Sequence, residues 1–104
     1  MPNKDLNQEQ HNILRKIEKK PESSQREMAN ELNISLGKLN YCLKELKKKG
    51  LIKIRNFSKN EKKLNYLYII TPKGIGEKAR ATVHFMKLKM KEYDELRKEN
   101  EKKS

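Results

Sequence analysis

Residues 25 to 50, QREMANELNISLGKLNYCLKELKKKG, constrain the fold most, because they ask for two helices joined by a tight turn. At 100° per residue, Leu36, Leu39, Cys42, Leu43 and Leu46 fall on one stripe of the second segment, while Gly37, Asn40, Tyr41, Lys44 and Lys48 fall opposite. Met28, Ala29 and Leu32 give the first segment its own short apolar stripe. Asn33 stands where a sharp turn needs a left-handed residue, a conformation that Asn tolerates best after Gly. Ser35 is then a natural N-cap for the second helix. The pattern predicts a helix-turn-helix whose second helix turns one face to a core and the other to anions.

Charge sharpens that expectation. The 104-residue chain is 34% hydrophobic, so it makes one domain with a small core, and its formal charge is +12. Residues 1–32 carry six basic and six acidic side chains, residues 33–63 ten against two, and residues 64–104 ten against six. The excess therefore starts on the second helix of the motif, and a basic stripe on a defined element is the electrostatic footprint of nucleic-acid binding. Its bland alternative is a Lys-rich surface that only keeps a small protein soluble. No apolar run approaches the ~18 residues of a membrane span, and MPNKDLNQEQ has no signal-peptide core, so a cytoplasmic protein without a membrane partner is expected. Cys42, His11 and His84 show no metal-ligand spacing, and no phosphate loop or nucleophile–base pair is present, so no metal, cofactor or enzymatic activity is expected.

Along the chain, Leu6, Ile13, Leu14 and Ile17 predict a first helix over residues 5–19, stopped by Pro21. Ser24 with Glu27 is a capping-box signature that starts the second helix, which ends near Leu32. The third helix should run from Leu36 to Lys49, closed by Gly50. Leu51–Phe57 and Asn65–Thr71 read as strands flanking the polar loop SKNEKKL, a hairpin with a basic tip. Thr71-Pro72 is a helix opening, and residues 75–100 are helical in composition, with Gly74 and Gly76 weakening the first turn. Ala79, Val83, Met86, Met90 and Tyr93 recur at spacings of 4, 3, 4 and 3, with Phe85 and Leu88 on an adjoining strip. A helix of this length spans ~39 Å against a body of roughly 30 Å, so its last turns overhang, and a second subunit is the simplest cover for Met90, Tyr93 and Leu96. The expected fold is mainly α with a small β-hairpin, a winged helix-turn-helix with a long C-terminal helix. Residues 1–74 are expected to form the DNA-binding domain, and residues 75–104 the dimerisation helix and charged tail.

SQREMANELNISLGKLNYCLKELKKKGLIKIRNF, followed by YLYIITPKGI, resembles the small MarR-type winged-helix transcriptional regulators associated with bacterial exopolysaccharide gene clusters. The resemblance covers roughly residues 10–96; SLGKLNYCLKEL and the Ile70-Thr71-Pro72-Lys73-Gly74 exit from the wing are its most specific parts. It implies a dimeric regulator of double-stranded DNA, with the third helix in the major groove and the wing along the backbone or minor groove.

Asn40 carries the donor and acceptor that match adenine, and Lys44 can reach guanine O6 and N7. The expected DNA contacts are Ser35, Gly37, Lys38, Asn40, Tyr41, Lys44 and Lys48 on the helix and Arg55, Lys59, Lys62 and Lys63 on the wing. Their bland alternative is helix surface and a solvated loop. Gly37 costs about 1 kcal/mol inside a helix, which a close backbone approach to phosphate would offset, as would a packing contact with the first helix. Homodimerisation is assigned to Ala79, Val83, Met86, Met90, Tyr93 and Leu96. Two other functions fit the fold: a protein-docking platform, which would not need the +8 stretch over residues 33–63, and an RNA-binding module, for which Tyr66 and Tyr68 offer no recognisable stacking motif. The sequence specifies no small-molecule effector.

Overall fold

The computed structural model describes residues 6–60 and 63–103, and side chains over 6–55 and 67–102. Among the described residues the order is α1 (Gln8–Lys19), α2 (Gln25–Leu32), α3 (Leu36–Lys48), β1 (Ile52–Asn60), β2 (Lys63–Ile70) and α4 (Pro72–Lys103). The fold is mainly helical with one antiparallel hairpin, as the periodicities predict.

Side chains and turn residues set the helix ends. Asn7 caps α1 by accepting the Gln10 amide at 2.8 Å, and the Gln10 side chain accepts the Asn7 amide at 3.2 Å. The helix thus begins at Gln8 and not at residue 5, and Leu6 joins the core from outside it. Ser24 accepts the Glu27 amide at 3.1 Å and starts α2. Asn33 ends α2 in the left-handed region (φ 57°, ψ 45°), with the Ile34 amide donating back to the Ala29 carbonyl at 3.0 Å. Two residues on, Ser35 accepts the Lys38 amide and opens α3. Gly50 closes α3 at φ 76°, its amide donating to the Lys47 carbonyl and that of Leu51 to the Leu46 carbonyl.

The core gathers Ile13, Leu14 and Ile17 of α1, Met28 and Ala29 of α2, and Leu39, Cys42, Leu43 and Leu46 of α3. Leu51, Ile52, Tyr68 and Ala81 close it. Leu36 departs from the expected stripe: it is 39% exposed, because at the first helical position of α3 it lies at the stripe's edge.

The hairpin is longer than its apolar content suggests. Pairing runs from Ile52↔Ile70 through Ser58↔Leu64, shifts register, and ends at Asn60↔Lys63. Backbone pairing needs no apolar side chains once the ladder projects from the body, so the polar stretch expected as a loop is mostly strand. Ile52 and Ile54 turn to the core while Lys53 and Arg55 are exposed. On the other strand the Tyr68 amide donates to the Pro21 carbonyl at 3.3 Å, tying the wing base to the α1–α2 connection.

α4 begins at Pro72, at the Thr71-Pro72 helix opening, and reaches Lys103. Thr71 caps it: its hydroxyl donates to the Gly50 carbonyl at 2.6 Å and accepts the Gly74 amide at 3.0 Å. Gly74 sits so close to the wing base that a Cβ there would lie 2.1 Å from the Leu51 carbonyl oxygen. The first half of α4 lies on α1, where Lys78 meets Glu18 at 3.3 Å. The second half overhangs and draws the molecule out to 65 × 30 × 21 Å.

His11 joins α1 to α4. Its Nε2 lies 2.8 Å from the Thr82 hydroxyl, which itself donates to the Lys78 carbonyl, so His11 Nε2 is the donor to that hydroxyl. Phe85 packs on the ring at 5.2 Å, and Nδ1 is buried without a protein partner among the described residues. Burial, then the Arg15 and Lys78 charges, lower the His11 pKa below its usual 6.5. The unfolded chain therefore binds the extra proton first as pH falls, and stability is lost below about 6.5. Thermal midpoints measured between pH 7 and pH 5 should fall for the native chain and fall less for His11→Gln. Glu31, whose pKa is lowered chiefly by a hydrogen bond from Lys16, loses its contribution only below its usual 4.5, outside that window.

Candidate nucleic-acid interface

Packing of Leu39, Cys42, Leu43 and Leu46 on the other helices decides what α3 shows outward. Gly37, Tyr41, Lys44 and Lys48 occupy the middle of its free face, all exposed, Tyr41 by 65%. Asn40 is half-buried along one edge with Leu36 and Lys47, and Lys38 stands at the other edge. Ser35 is exposed at the helix N-terminus, where its hydroxyl is engaged in the cap. Gly37 has open space where a Cβ would project, so no packing contact with α1 requires it.

The wing continues this surface through exposed Lys53 and Arg55. Lys62 lies outside the described residues, as do the side chains of Lys59 and Lys63, so the basic tip is placed by the sequence alone. The surface of α3 and β1 thus offers a projecting rod of cations flanked by a β-ribbon, dimensions that suit a groove ~12 Å wide.

One charge pair on this surface has no counterpart in the sequence pattern. The Lys38 ammonium donates to the Glu9 carboxylate of α1 at 2.7 Å, and that hydrogen bond raises the Lys38 pKa. Lys38 is therefore held by an internal anion that a phosphate must displace or share. Glu9→Gln should release it and strengthen binding to any duplex by about two- to fivefold, the worth of one partly exposed pair. Fluorescence anisotropy on random-sequence duplex measures the gain; unchanged affinity would remove Lys38 from the contact set.

Cys42 is buried, and desolvation raises its pKa, so its thiol is a small apolar group of the core and not a reactive one. His84 is exposed and meets Phe85 edge-on at 5.3 Å. Among the described residues no group of three His, Cys, Asp or Glu side chains could hold a metal ion, and no helix is long and apolar enough to cross a membrane.

Ala79, Val83, Met86, Met90 and Tyr93 all lie on the face of α4 turned away from the body and are exposed. Ile75 extends the row toward the wing. Leu96 falls about 100° away in helical angle, in line with Phe85 and Leu88.

Residues 6–53 match the family described as winged helix-turn-helix DNA-binding. No curated protein sequence matches the chain. Among solved structures, the zinc-responsive MarR family member ZitR of Lactococcus lactis is 28% identical with a TM-score of 0.69, over 90% of this chain and 62% of that one. The PcaV transcriptional regulator of Streptomyces coelicolor shares the fold at 15% identity and a TM-score of 0.72, over 83% of this chain and 60% of its own. The transcriptional repressor CouR, bound to a 23-mer DNA duplex, is 24% identical with a TM-score of 0.65, over 75% of this chain and 54% of its own. The chain thus spans about three-fifths of the length of these regulators.

Proposed function

We propose that the protein is a sequence-specific duplex-DNA-binding transcriptional regulator of the MarR type, working in the cytoplasm as a homodimer. α3 enters the major groove and the basic wing follows the backbone. The observation that carries this reading is the free face of α3, where Tyr41, Lys44 and Lys48 project from a helix whose opposite side is locked into the core. Lys44 and Lys48 meet phosphates or guanine, Tyr41 packs on the groove wall, and Asn40, at the edge, hydrogen-bonds a base. Gly37 lets the backbone approach a phosphate near the helix N-terminus. The SLGKLNYCLKEL segment supports kinship with the exopolysaccharide-associated regulators it resembles.

The deciding experiment is titration of labelled duplex at rising salt. Logarithmic affinity should fall steeply and linearly with logarithmic salt, because bound cations displace counterions. Replacing Lys59, Lys62 and Lys63 together with alanine should weaken all sequences about equally and flatten the slope by about 2 to 3, roughly 0.9 for each phosphate no longer neutralised. A salt-independent affinity would defeat the reading.

A further inference from the structure

We infer that Leu36 reads the C5-methyl group of a thymine in the major groove, one or two base pairs from the base that Asn40 bonds; the inference rests on the duplex-DNA reading proposed above. Among the described residues nine large apolar side chains are exposed, and seven of them lie on α4. The other two, Leu36 at 39% and Tyr41 at 65%, both stand on α3. A single exposed leucine is ordinary on a protein surface. This one opens the helix that carries the cations, directly after its cap Ser35, and the leading turn of a reading helix is the part that reaches base edges.

The first turn of α3 departs from what a helix start favours. α1 and α2 each carry an acid there, Glu9 and Glu27, where the helix dipole stabilises negative charge. α3 carries none, and its opening residues are Leu36, Gly37 and Lys38. A carboxylate in this place would repel phosphate, whereas leucine does not. Nor does the core hold Leu36: the partly buried apolar side chains packed against it are Leu32, Ile34, Ile54, Ile70 and Phe85. Leu36 also lies off the α4 face assigned to the homodimer.

Leu36, Asn40 and Lys44 follow one another at spacings of four, so they form one ridge that turns roughly 40° per step, from the edge of the core stripe onto the free face. Four residues advance ~6 Å along the helix, against ~3.4 Å per base pair. A helix lying in the groove therefore sets neighbouring members of the ridge one or two base pairs apart. Their chemistries are apolar, amide and cationic, in that order. Leucine has no donor for a phosphate or a base nitrogen, and the major-groove edge presents one apolar group, the thymine methyl. The ridge thus asks for a thymine beside the base read by Asn40, whose amide matches adenine.

The test begins with selection of the preferred duplex from a randomised library by the native chain. Each thymine of that duplex is then replaced in turn with deoxyuridine, which removes only the C5-methyl group. One thymine in each half-site should lose affinity by about three- to fivefold, the worth of one buried methyl group. It should lie within about two base pairs of the position at which Asn40→Ala loses its preference. Leu36→Ala should bind the thymine and deoxyuridine duplexes alike, and Leu36→Met, which keeps an apolar reach, should retain the difference. Each comparison sets two duplexes against the same protein, so a loss of stability in a variant cancels from the ratio. Sensitivity at no thymine overturns the inference. Sensitivity that survives Leu36→Ala unchanged gives the methyl group to another side chain, Tyr41 first, and overturns it as well. A sensitive thymine far from the Asn40 position overturns the ridge. A library from which no sequence is enriched overturns the regulator reading itself, while enrichment without methyl sensitivity leaves that reading standing and removes Leu36 from it.

Discussion

Gly74→Ala is expected to lower the thermal midpoint by about 10–20 °C, the equivalent of ~2–3 kcal/mol of forced repacking in a domain of this size. The added methyl would lie 2.1 Å from the Leu51 carbonyl oxygen and 2.8 Å from the Ile70 Cγ2, and backbone cannot move aside as a side-chain tip can. The first turn of α4 would have to withdraw, taking with it the Thr71 hydroxyl that bonds both Gly50 and Gly74. Gly37→Ala is the control. It too places alanine within a helix, yet open space surrounds the position, so stability should rise by about 0.5–1 kcal/mol. If the backbone at Gly37 approaches phosphate, that same variant loses DNA affinity while becoming more stable. Differential scanning fluorimetry and duplex titration on both variants separate the effects; equal melting temperatures for Gly74→Ala and the native chain would refute the close approach.

Truncation after Lys87 should leave a folded monomer whose affinity for the operator is roughly 100-fold or more below that of the full chain, because two linked half-site contacts become one. The body keeps its packing in this variant. Ala81 is in the core, Phe85 packs against it, and His11 finds Thr82, all before the cut. What is removed is the overhang with Met90, Tyr93 and Leu96, each 57–64% exposed in the single chain. Affinity for random duplex should fall much less, since the α3 and wing cations remain. A truncated chain that stays dimeric with full operator affinity would show that residues 88–104 do not hold the dimer.

Much of this architecture could be read from residue patterns because local rules governed it. Asn33, Ser35, Gly50 and Thr71 each act within four residues of themselves or at an element end, where turn and cap chemistry leaves a clear mark. The hairpin was legible only at its apolar base. Beyond Phe57 the ladder is held by backbone bonds, which any polar side chain allows, so Ser58, Asn60 and Lys63 carry no strand signal. The start of α4 is marked by Thr71-Pro72, whereas composition shows Gly74 only as weak helix and says nothing of the Leu51 carbonyl that sits against it. The pairing of Glu9 with Lys38 and the burial of His11 beside Phe85 join residues far apart in sequence, and no periodicity announces such meetings. On α3 the stripe itself was right, but a stripe has edges. Leu36 and Asn40 fall there, one less buried and the other less free than a simple division into faces implies.

The joint at Thr71 also works as a protractor. Its hydroxyl touches the end of α3 at Gly50 and the start of α4 at Gly74, so the angle between the cation-bearing rod and the long helix is set by two hydrogen bonds and one carbonyl in contact. The roughly twenty residues of α4 beyond Phe85 form a lever of ~30 Å, and a tilt of about 10° at its root would displace its far end by about 5 Å, more than one base-pair step of ~3.4 Å. A dimer built on two such levers can span only one distance between its reading heads, and the phase of its half-sites along the duplex is then written in the bond lengths around a single threonine.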